Sequence, residues 1–63
     1  MEGHIKTYQR YAEACEDLAV TSSNPASRKM YADMAQTWRR LAAETEATES
    51  LLSLLDSIEA KAA

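Results

Sequence analysis

The sequence predicts an all-α protein, an antiparallel helical hairpin with a long second helix. Three observations carry this. Apolar residues recur at alternating steps of three and four, the period of a helix face and not of a strand. One Gly and one Pro in 63 residues leave too little punctuation for a sheet protein or a glycine-rich ligand loop. The Pro closes the only strong break, Thr21-Ser22-Ser23-Asn24-Pro25, so two helical segments of unequal length meet there.

The first helix is predicted over residues 4–20. Ile5, Tyr8, Ala12, Cys15 and Ala19 form a seam, and Tyr11 and Leu18 widen it on one side. Lys6, Gln9, Arg10, Glu13, Glu16 and Asp17 fall between and face water. The turn is predicted over 21–24. Asn24 is a favoured N-cap, because its side-chain oxygen accepts a free amide of the following turn. Pro25 then occupies the first helical position, where a missing N–H costs nothing. A turn this short implies antiparallel neighbours.

The second helix is predicted over 25–61, with a possible break at 44–50. Its seam is Tyr31, Met34, Trp38, Leu41, Thr45, Thr48, Leu52, Leu55, Glu59 and Ala62, with Met30, Ala35, Ala42, Leu51 and Ile58 beside it. No Gly or Pro follows Pro25, and Ala is abundant, which favours continuity. The seam weakens over Glu44-Thr45-Glu46-Ala47-Thr48-Glu49-Ser50, where no large apolar residue occurs.

The two arms do not match in length. A first helix ending near residue 20 covers the second only to about residue 43, so the leucine face from 51 to 58 needs another partner. Two arrangements supply one. A bend in 44–50 would fold the tail back as the third helix of a monomeric bundle. A straight second helix would instead pair antiparallel with its copy in a homodimeric bundle, about an axis near residue 45 or 46. Trp38 then meets the partner's Leu52, Met34 the partner's Leu55, and Tyr31 lies near the partner's Glu59. The two are related as a domain swap, and the absence of Gly and Pro in 44–50 favours the dimer. Its expected self-association residues are Tyr31, Met34, Trp38, Leu51, Leu52, Leu55 and Ile58.

Charge agrees with this pairing. Residues 1–43 carry six basic and five acidic groups, and residues 44–63 carry one basic and five acidic. An acidic tail and a slightly basic hairpin are complementary, which sets orientation more than affinity. The whole chain, at net charge −3, counts against general nucleic-acid binding.

The chain is one small domain, too apolar at 46% to be disordered. Met1-Glu2-Gly3-His4 has no basic run leading into an apolar stretch, and no segment approaches the roughly 20 apolar residues of a membrane span. With one Cys and no disulfide framework, a cytoplasmic location is expected.

The chemistry-bearing residues read as structural. His4 lacks a second ligand or a nucleophile at fixed spacing. Cys15 sits on the seam with no Lys, Arg or His three or four residues away to activate it. Glu13, Glu16 and Asp17 fall off the seam, without the Glu-x-x-His pairs of a di-metal bundle. Tyr8, Tyr11, Tyr31 and Trp38 are at core spacing, although they could stack a ligand. No cofactor, metal or catalytic residue is expected, and the tail is too acidic for an anionic membrane surface. Arg28, Lys29, Arg39 and Arg40 repeat at 11 residues, about three turns, and with Arg10 form a possible phosphate-contacting strip.

Tyr8 and Tyr11, Ala14-Cys15, Leu18-Ala19, the turn ending in Pro25, Arg28, Met34-Ala35, Trp38 and Leu41-Ala42 together form a pattern. Over residues 8–43 it resembles short helical-hairpin proteins common in alphaproteobacterial genomes. The resemblance implies a tyrosine-bearing first helix and an "LA…W…LA" second helix. It implies no activity and no functional residues. The expectation is therefore a non-enzymatic helical module that associates with itself or presents a surface to another protein. The alternative is a small nucleic-acid-associated regulator using the basic strip.

Overall fold

The computed structural model describes residues 2–62, with side chains from His4 onward. It contains α1, Glu2–Thr21, and α2, Pro25–Ala62, and no strand among the described residues. The protein is thus an all-α helical hairpin. At 1.5 Å per residue the helices are about 30 Å and 57 Å long. The second value accounts for a longest dimension of 59 Å.

The turn is closed by local hydrogen bonds. Asn24 Oδ1 accepts from the backbone N–H of Ala26 at 2.8 Å and of Ser27 at 3.3 Å, which satisfies two of the free donors of α2. The other end of the turn is held from across it. α1 has no basic residue in its last turn, where the helix dipole favours a cation. Arg28 supplies one from α2, donating through Nε to the Ala19 carbonyl at 3.3 Å. Removing the cap in Asn24→Ala is expected to cost about 1 kcal/mol. A urea titration followed by circular dichroism measures it, and an unchanged midpoint would assign the turn's stability to Pro25 and Arg28 instead.

α2 runs without interruption through 44–50, so the hinge and the third helix considered above are not formed. Three Glu and one Ala among these seven residues favour helix, and no Gly or Pro breaks it. Thr48 folds its hydroxyl back onto the Glu44 carbonyl at 2.9 Å, a bond made within the helix itself.

The helices meet along small residues. Ala12 is fully buried, and Ile5, Cys15, Ala35 and Ala42 are nearly so. Tyr8 and Ala19 of α1, and Ser27, Tyr31, Trp38, Thr45 and Glu49 of α2, are half-buried beside them. The seam of α2 therefore differs from the expected one. Met34, Leu41 and Thr48 were placed on it, whereas the buried line is the adjacent one through Ala35 and Ala42. Ala12, Cys15 and Ala19 let the backbones approach closely, and a close approach leaves room for alanines but not for Met or Leu. The large side chains are displaced to one edge.

α1 also begins earlier than residue 4 and reaches further along α2. Ile5 lines one groove with Glu46 and Glu49. Cover thus extends to Glu49 and not only to residue 43. Every described residue from Ser50 onward is exposed. These 13 residues form an overhang of about 20 Å.

Candidate interaction face

The groove between α1 and α2 has two edges of opposite character. One is polar. Arg39 donates to both carboxylate oxygens of Glu16, through Nε at 3.2 Å and through a terminal guanidinium nitrogen. The hydrogen bond to Glu16 and then its charge raise the Arg39 pKa further. Glu13 adds a weaker favourable charge.

The other edge is apolar. Tyr11 and Leu18 lie across the α1 seam from Glu16, and Met30, Met34 and Leu41 lie across the α2 seam from Arg39. In an antiparallel pair this brings all five to one side. They remain 37–49% exposed. Trp38 roofs the groove between the two tyrosines, stacked on Tyr8 at 5.8 Å and edge-on to Tyr11 at 4.9 Å between ring centroids.

Past Glu49 the apolar edge continues on α2 alone. Leu51, Leu52, Leu54, Leu55 and Ile58 are 48–58% exposed. Hairpin edge and overhang are thus two exposed apolar patches on α2, separated by the polar stretch 44–50. Large apolar patches are rare on monomeric surfaces and mark contacts.

The residues singled out for self-association divide into two sets. Leu51, Leu52, Leu55 and Ile58 lie on the overhang, and Met34 lies on the hairpin edge. Tyr31 and Trp38 are half-buried within the hairpin itself. Tyr11, Leu18, Met30 and Leu41 were missing from that set. The signal for three of them was present in the sequence: Tyr11 and Leu18 widen the α1 seam, and Leu41 follows Met34 at one heptad.

The four basic residues do not make a free strip. Arg28 holds the end of α1, Lys29 pairs with Asp33 at 3.1 Å, and Arg39 pairs with Glu16. Arg40 makes no such bond among the described residues. Arg28 and Arg39 both turn toward α1, while Lys29 and Arg40 are rotated about 100° from them. The pairs thus do not line one outward face.

Other chemistry is sparse. Cys15 is a buried free thiol. The His4 ring lies 6.4 Å from that of Tyr8. Among the described residues no group of three metal-binding side chains forms. No helix there is long and apolar enough to cross a membrane.

Fold and surface together define a class: a two-helix hairpin that carries an unaccompanied apolar helical arm. Comparison with protein families, curated proteins and solved structures finds no match to the chain.

Proposed function

We propose that the protein is a non-enzymatic self-association module in which the overhang of one copy covers the apolar hairpin edge of another. The observation that carries this reading is the pair of exposed apolar patches on α2, Met30 to Leu41 and Leu51 to Ile58, the second with no cover from α1. Area supports it. The chain exposes 5081 Å². A compact protein of its mass exposes about 4,000 Å². The excess, about 1,000 Å², is close to what each partner of a stable pair removes from water, about 800 Å².

Charge supports it as well. The tail and the hairpin are complementary, with net charges of −4 and +1. The nucleic-acid reading has less support, since Arg28, Lys29 and Arg39 each bond within the chain.

Sedimentation equilibrium over a concentration series tests the proposal. The expected mass is twice 7.0 kDa. A protein that stays at the single-chain mass at high micromolar concentration overturns it. Excess mass appearing only when random duplex DNA is added at low salt would favour the regulator reading instead.

A further inference from the structure

Resting on that self-association, we infer its geometry: α2 pairs antiparallel with its copy along the displaced apolar edge, in a register where the numbers of facing residues add to 92. The starting point is a period that the buried seam obscures. Met30, Met34, Thr37, Leu41, Glu44, Thr48, Leu51, Leu55, Ile58 and Ala62 follow steps of four and three without a slip. This is a heptad line, and it lies beside the seam that faces α1. The structure leaves it free, because Ala35 and Ala42 are buried in its place.

The line is complementary to itself when reversed. Met34 falls opposite the partner's Ile58, and Leu41 opposite the partner's Leu51. Thr37 meets the partner's Leu55, and Met30 the partner's Ala62. Glu44 and the partner's Thr48 form the central layers, so polar residues meet polar residues at the two-fold axis. Leu51, Leu55 and Ile58 of the overhang are then placed on the hairpin edge of the other copy, with Leu52 and Leu54 flanking the contact on either side.

A parallel, in-register pairing would set each residue of the line against its like, but it also places two acidic overhangs side by side, and the charge pattern favours the reversed register. In the antiparallel register, Lys61, the one base of the tail, falls level with the partner's Tyr31 and within two residues of the partner's Asp33, where it offsets the Glu59 that stands level with that acid. Polar residues at the middle of an otherwise apolar line are a known means of fixing orientation and register.

Disulfide trapping tests the register. In a Cys15→Ala background, Leu41→Cys and Leu51→Cys are prepared as separate single-cysteine chains. Each alone should stay unlinked on oxidation, because like positions lie about 15 Å apart along the axis in this register. An equal mixture should form a covalent dimer that reductant dissolves. Linking of either chain by itself indicates parallel pairing and overturns the inference while leaving self-association standing.

Because either substitution trims the contact, a second measurement leaves it intact. Nitroxides at the outward positions Ser53→Cys and Ala60→Cys, in the same background, should be offset along the axis by about 21 Å and 42 Å between copies. Equal short distances at both positions, or a dimer whose mixed chains do not link, overturn the register. Loss of all dipolar coupling, with a single-chain mass for the unmodified protein, overturns the self-association beneath it.

Discussion

Leu55→Asp is expected to yield a protein that sediments as a single chain of 7.0 kDa at concentrations where the wild type is paired. In one hairpin Leu55 stands in the overhang, 48% exposed, so a carboxylate there meets water and costs the hairpin nothing. In the paired state it would face the partner's Thr37 between Met34 and Leu41, with no cation to meet it. An uncompensated buried charge costs about 3–5 kcal/mol. Symmetry places two of them in one dimer, which corresponds to roughly four orders of magnitude in Kd at the lower limit. The overhang of the variant, left without cover, is too short to hold helix well alone. Circular dichroism should therefore lose helical signal together with mass. An unchanged mass would show that the leucine arm is not the contact.

Ala12→Leu should damage the hairpin itself. Ala12 has no exposure, at the point where the two backbones are held together by alanines and a cysteine. Three added carbons have no space to enter, and overpacking of that kind costs about 1–3 kcal/mol. For so small a fold this is a large part of the available stability. The helices must separate to admit the side chain, which also disturbs the stacking of Tyr8, Tyr11 and Trp38. Ala14→Leu is the control, since Ala14 is exposed two residues further on. The expected result is a lower and broader thermal transition for the first variant and an unaltered one for the second. Two equal transitions would mean that the close approach at Ala12 contributes little.

The contrast between those alanines shows what could be read from the chain and what could not. The two-helix plan is legible because Asn24-Pro25 is a cap and a start signal with local causes. The α1 seam is legible because Ile5, Tyr8, Ala12, Cys15 and Ala19 keep steps of three and four with mostly polar residues between them. The rotation of α2 is not. Met34-Leu41 and Ala35-Ala42 are neighbouring lines with the same period, and periodicity alone cannot choose between them. Larger side chains gain more from burial, which favours the first line. The choice is made by the opposing helix, whose Ala12 and Cys15 permit an approach that only the second line fits. The same holds for the basic residues. Charge spacing along a helix does not disclose that Arg28 reaches across the turn to Ala19, or that Arg39 reaches across the groove to Glu16. The exposed edge with Tyr11 and Leu18 follows from that unforeseen rotation.

The unbroken course of α2 has a mechanical consequence. A rigid rod transmits angle as well as distance, so the azimuth of the leucines is locked to that of the Asn24 turn. One residue inserted between 44 and 50 would swing the distal half by about 100° and advance it by about 1.5 Å. Seven would restore its bearing to within about 20°. The polar stretch in the middle of the rod thus acts as a spacer whose length, more than its chemistry, aims the far end.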